Sequence, residues 1–221
     1  MSSGFSNDGS SGKISIESSP SSPNGVSGNV NLSSGHSEAG SSGTISIESG
    51  SSKNGAGGSM SLFVGDGGGM ANGGDIFLTA GQTSAQGRKG GAVKISGGEG
   101  ASSSSTDGGD GGDILLSGGE AKGESANDNG GSITVQGGTS FAGDGGSVEL
   151  LSGQSAEASS GDILVASAPG GNKDGAASGT LTLSTGTSTH SQSGSIILNT
   201  GDAVGGPAGS INIEVGDTVS D

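Results

Sequence analysis

Carboxylate side chains, which could bind a cation, are concentrated between residues 99 and 128. Five of them lie in or beside two glycine-rich segments, 100–111 and 121–130, and the other two directly precede those segments. The seven acidic residues are Glu99, Asp107, Asp110, Asp113, Glu120, Glu124 and Asp128. Because calcium prefers oxygen ligands, these residues are candidate calcium ligands. A solvated acidic loop would have the same composition, and that alternative stays open.

One short motif in this region resembles a known calcium-binding repeat. Residues 108–116 read Gly-Gly-Asp-Gly-Gly-Asp-Ile-Leu-Leu, which resembles the nonapeptide of calcium-binding β-rolls. In those rolls the motif recurs every nine residues, so that successive turns share calcium, whereas here it occurs once. Calcium is therefore the one candidate cofactor, and the sequence requires none.

Catalytic chemistry has little support in the sequence. The chain has no Cys, and its two histidines, His36 and His190, fall in separate segments with no Ser-His-Asp arrangement around them. Glu99 and Glu120 could form the acid/base pair of a glycoside hydrolase, but the chain has no Trp or Tyr to hold a sugar. We therefore predict that the protein is not an enzyme, with a carbohydrate-active hydrolase as an alternative.

Charge and composition exclude several classes of partner. With 22 acidic and 7 basic side chains the net charge is -15, which opposes nucleic-acid phosphate and anionic lipid. No apolar run approaches the roughly 20 residues of a membrane span. Gly accounts for 52 of the 221 residues, and so glycine-rich and aliphatic-poor a composition is by itself typical of a disordered chain.

An internal repeat argues against disorder. One registering glycine recurs every 15–21 residues, and in all thirteen repeats the second and fourth residues after it are apolar. Position 7 is glycine in eleven repeats, and position 9 is Ser, Thr, Ala or Gly in all thirteen. The registering glycines are Gly12, Gly28, Gly43, Gly58, Gly74, Gly91, Gly112, Gly131, Gly146, Gly161, Gly179, Gly194 and Gly209.

Apolar residues two apart, bracketed by glycine, indicate a short strand with one buried face. Strands of this kind stacked side by side would bury one another's apolar side chains. The repeat thus predicts an all-β, single-domain flattened parallel β-solenoid over residues 1–221, with about thirteen coils of ~15–16 residues and no helices. Each coil would begin at a registering glycine, longer loops would occupy 99–111, 120–130 and 168–178, and position 9 would point inward opposite the apolar pair.

The pattern Gly-x-apolar-x-apolar-x-small-Gly resembles the Gly/Ser-rich parallel β-solenoids of microbial cell-surface and adhesin-type repeat proteins. The resemblance implies an extracellular or cell-surface, non-catalytic structural or adhesive rod. Its partners would be copies or adjacent repeats joined end to end, or an extracellular matrix or surface, without nucleic acid or a membrane span. The alternative is a calcium- or ice-binding module, although position 3 mixes threonine with charged and aliphatic residues and so lacks a regular ice-binding array.

The repeat register also bears on the chain ends. Both Met1 and Asp221 fall in the middle of a repeat. We expect either an excerpt from a longer array or a subunit that associates end to end, with an unfamiliar type of terminal cap as the third option.

Overall fold

A computed structural model describes residues 2–173 and 175–217. Within these residues the chain has neither a helix nor a β-strand, and it consists of coil interrupted by bends. The predicted all-β parallel β-solenoid is therefore wrong, and the coils expected to start at the registering glycines are not stacked strands. Of the position-9 residues, Thr218 lies outside the described part of the chain.

The repeat is nevertheless visible in the backbone, because one bend precedes every registering glycine by three to seven residues. Residues 38–40, 141–143 and 204–206 are examples. Four bends contain a glycine with positive φ, between 65° and 89°, which L-residues with a side chain rarely adopt. The apolar pair of each repeat lies in the segment that follows the bend before its registering glycine.

Backbone hydrogen bonds close loops and do not form ladders. In eight loops the N–H of the registering glycine donates to the carbonyl of the position-7 residue of the preceding repeat, as from Gly131 to Gly119 and from Gly146 to Gly138. The remaining five backbone bonds of the described residues lie within turns. The segments that carry the apolar pairs thus lack the neighbouring backbone partner that a strand requires.

No residue of the described part is buried. The position-2 side chains are 45–60% exposed and the position-4 side chains 57–88% exposed. The accessible surface is 21791 Å², against about 8,800 Å² for a compact protein of this mass. Burial of two apolar side chains per repeat would provide little free energy to offset the entropic cost of ordering some sixteen residues, many of them glycine. This is why the periodic pattern does not produce a core.

The chain divides into two units, Met1–Asp113 and Ile114–Asp221. Six of the apolar pairs belong to the first unit and seven to the second. The prediction of a single domain stays a prediction. In the described part of the chain no helix has the length and apolar character needed to cross a membrane.

Candidate functional site

The seven carboxylates proposed as calcium ligands are all exposed. Glu99, Asp107, Asp110 and Asp113 belong to the first unit, and the other three belong to the second. Two of those three have partners of their own. Glu120 Oε2 lies 3.9 Å from Lys122 Nζ, and Asp128 Oδ2 accepts a hydrogen bond of 3.0 Å from the backbone N–H of Ser125.

Within residues 2–173 and 175–217 no three His, Asp or Glu side chains come together in a group that could hold a metal ion. Asp128 instead closes a turn, where its carboxylate also lies against Gly123. A calcium site at the seven carboxylates therefore stays a prediction, and the role that the structure gives to Asp128 is a local one.

Ser21 at position 9 donates to the Gly25 carbonyl oxygen at 2.9 Å, whereas the other five position-9 serines accept hydrogen bonds at the bends. Their hydroxyl oxygens accept from the backbone N–H three residues later at 2.9–3.1 Å, which is the geometry of a serine-capped turn. The serines concerned are Ser37, Ser52, Ser140, Ser155 and Ser188. None of them is buried. The expectation that position 9 points into an interior is wrong because no residue between 2 and 173 or between 175 and 217 is buried, and the hydroxyls of these five serines are used by the turns.

Where position 9 is glycine, a second reason keeps it small. A Cβ at Gly67 or Gly100 would collide with backbone atoms across the loop, those of Asn72 and Gly109 respectively, and one at Gly170 would lie 2.6 Å from the carbonyl oxygen of Ala176. Close approach thus demands glycine in these loops, while serine caps five others. The sequence signal for the caps was a Ser followed three residues later by a small residue, which sequence reasoning read as a packing requirement.

The two histidines do not share a described site. His190 Nδ1 lies 2.8 Å from Thr189 Oγ1, and His36 belongs to the other unit. Both rings are exposed. No cavity is present in the part of the chain that the structure describes.

The feature common to all repeats is the exposed apolar pair. Position 2 is the better shielded of its two side chains, and the position-3 side chains between them are more open still, for example 86% exposed at Leu115 and 88% at Leu164. No charged residue occupies position 2 or 4 in any repeat. We define the thirteen pairs as the apolar rows, and they form the candidate functional surface.

The apolar rows could bind another apolar surface but contain no group for covalent or acid/base chemistry. Every member is Ile, Val, Leu or, at position 60, Met. Comparisons with protein-family models, with curated proteins and with solved structures found no match.

Proposed function

We propose that the protein is a non-catalytic structural repeat protein that assembles with other copies of itself through the apolar rows. The observation that carries the proposal is the exposure of an uncharged aliphatic pair in every one of thirteen repeats. Exposed apolar groups scattered singly are common on proteins, whereas here the same uncharged pair recurs in all thirteen repeats, which is the reason to propose an interaction surface. The stiff rod expected from the sequence depended on stacked strands. Because the described residues contain no strand, the proposal does not include a rod.

A second copy is the partner that fits best. Its own apolar pairs recur at the same intervals along the chain, so that each pair of one copy can meet a pair of the other. An unrelated protein has no reason to repeat at 15–21 residues. The absence of charge at positions 2 and 4 means that this contact buries no unpaired ion.

The available area is comparable with that of a specific interface. A fully buried aliphatic side chain corresponds to about 60–120 Å² of apolar surface. The fourteen row side chains of the second unit are 51–88% exposed, so together they offer roughly 500–1,000 Å². A standard interface takes about 800 Å² from each partner. Most of the pairs in a unit must therefore be engaged at once.

Charge opposes this contact and makes it depend on salt. Each copy carries a net charge of -15, and two copies repel one another over a Debye length of about 30 Å at 0.01 M salt but about 8 Å at 0.15 M. An extracellular or cell-surface location, which the sequence resemblance implies, belongs to the same proposal. Its ionic strength is close to the higher of these two values, about 0.15 M.

The test is analytical ultracentrifugation of the full chain over a hundredfold range of concentration at 10 mM and 150 mM NaCl. We expect a concentration-dependent increase in sedimentation coefficient that is stronger at 150 mM NaCl, because screening removes repulsion while the apolar contact persists. A single monomeric species at every concentration in both buffers would overturn the proposal. Association that weakens as salt rises would overturn it too, since contact would then depend on charge.

A further inference from the structure

The base of each loop brings two positions of the repeat into contact. The registering glycine at the end of the loop lies beside position 6 of the preceding repeat, directly before the position-7 carbonyl. A Cβ added at Gly58 would lie 3.2 Å from Ser49 Cβ, and one added at Gly179 would lie 3.4 Å from Ser167 Cβ. The side chain at position 6 therefore occupies the space between the two backbone segments that meet at the loop base.

Where position 6 is glycine, the two backbones close into that space. A Cβ at Gly97, Gly118 or Gly137 would collide with the carbonyl oxygen of the registering glycine across the loop. A Cβ added at Gly146 would in turn lie 2.9 Å from the backbone nitrogen of Gly138. The approach of these segments is closer than any side chain at position 6 would allow.

The closing hydrogen bond is shortest where this residue is Gly or Ala, and with Ser it is either longer or absent. It measures 2.8 or 2.9 Å in the four loops whose position 6 is Gly or Ala, namely Ala80, Gly97, Gly118 and Gly137. It lengthens to 3.0–3.4 Å in four loops with a larger residue there, namely Ser3, Ser49, Val64 and Ser152. Five other loops of residues 2–173 and 175–217 lack the bond, and their position-6 residues are Ser18, Ser34, Ser167, Thr185 and Thr200.

Position 7 accounts for only part of the difference, since the two repeats without glycine there, at Ser19 and Ala168, both lack the bond. Gly186 and Gly201 follow Thr185 and Thr200 and keep the glycine at position 7, yet their carbonyls accept no bond from Gly194 or Gly209. Closure also occurs in the loops where its entropic cost is highest. The loops closed by Gly98 and Gly119 are the two longest of the closed set, and the entropic cost of joining loop ends rises with length.

We propose that the side chain at position 6 sets how readily a loop closes, as a conformational device built into the repeat, with Ser compatible with both the closed and the open loop. Gly or Ala at this position lets the registering glycine donate to the position-7 carbonyl, and Thr props the loop base apart. The repeats around residues 80–146 thus carry closed loops, while those around 185–209 carry loops without the closing bond. This inference does not depend on self-association.

Amide hydrogen exchange followed by NMR tests the device, at low protein concentration and 10 mM NaCl so that association does not contribute. Gly118→Thr should speed exchange of the Gly131 amide roughly 2- to 10-fold, the range expected for loss of one hydrogen bond. Thr185→Gly should slow exchange of the Gly194 amide by a similar factor. Since this second variant gains protection, general unfolding cannot mimic it.

The matched control is Gly119→Ala. A Cβ at Gly119 meets nothing within 4 Å, so this variant places a smaller side chain one residue later while keeping the accepting carbonyl. Exchange of the Gly131 amide should stay unchanged in this variant. The proposal is overturned if Gly119→Ala accelerates exchange as much as Gly118→Thr does, or if either position-6 substitution fails to move its amide in the stated direction.

Discussion

Removing two neighbouring apolar pairs should weaken self-association without altering the chain's own bends. The variant replaces Ile114, Leu116, Ile133 and Val135 by Ser, which is already common throughout the sequence. All four side chains are more than half exposed, at 51%, 68%, 55% and 72%. They contribute correspondingly little to the separate chain and have most of their apolar surface left to bury against a partner.

The size of the effect follows from those exposed fractions. At about 1.5–3 kcal/mol for each fully buried aliphatic side chain, the exposed parts of the four are worth up to about 4–7 kcal/mol. Ordering of side chains at an interface reduces the gain. Since 1.4 kcal/mol is a tenfold change in Kd, we expect association to weaken at least about 100-fold.

Sedimentation velocity at 150 mM NaCl measures the effect, and four substitutions outside the rows provide the control. Leu115, Leu151, Leu164 and Ile197 are 79–88% exposed and lie at position 3 or 5. Changing all four to Ser removes a similar amount of apolar surface but leaves every pair intact. If the two variants lose association equally, contact depends on total hydrophobicity and the assignment of the interface to positions 2 and 4 fails. If neither loses it, the apolar rows are not the interface.

Two further substitutions test the bends. Ser140→Ala removes the acceptor of the 3.0 Å bond from the Gly143 N–H and should speed hydrogen exchange of the Gly143 amide roughly 2- to 10-fold. Ser147→Ala, at a residue without a side-chain bond, should leave that exchange rate unchanged. Equal exchange of the Gly143 amide in both variants would contradict the capping role. Asp128→Ala should likewise accelerate hydrogen exchange of the Ser125 amide, and Asp144→Ala should leave that exchange rate unchanged. If the Ser125 amide stays protected from exchange in Asp128→Ala, this turn does not need the carboxylate.

The repeat unit could be predicted from the sequence, but the structure formed by the repeat could not. The registering glycines and the small position 9 correspond to real features of the backbone, the loop bases and the bends. The apolar pair at Ile133 and Val135 predicted a strand because alternation of apolar residues is a strand signal. Alternation indicates which side chains face the same side of the chain. It does not indicate whether a neighbouring backbone segment is present to form the hydrogen bonds that a strand needs. Composition, which is typical of chains without a core, was the better guide here.

For the candidate site, sequence reasoning found the apolar pairs and missed their exposure. It also grouped acidic residues by their closeness along the chain, and the structure pairs Asp128 with a backbone amide and Glu120 with Lys122. The serine caps were missed for a different reason. A serine at position 9 satisfies both the interpretation as a small packed residue and the interpretation as a turn cap, and only the bond from Gly143 to Ser140 separates the two.

The registering glycine has the same double meaning, and its geometry decides between the two. A strand bracket would tolerate Ala or Ser at several of thirteen positions, because a bracket needs only to end the strand. A loop base is less tolerant where it is tight, since an added Cβ would lie 3.3 Å from Ala80 Cβ at Gly91 and 3.0 Å from the Gly119 nitrogen at Gly131, whereas at six of the thirteen glycines the nearest atom would be 3.5 Å or more away. Glycine is therefore required on steric grounds only at the tight loop bases. There it lets the chain close on itself beside the apolar pair, and the exposed pair is the surface that we propose meets another copy.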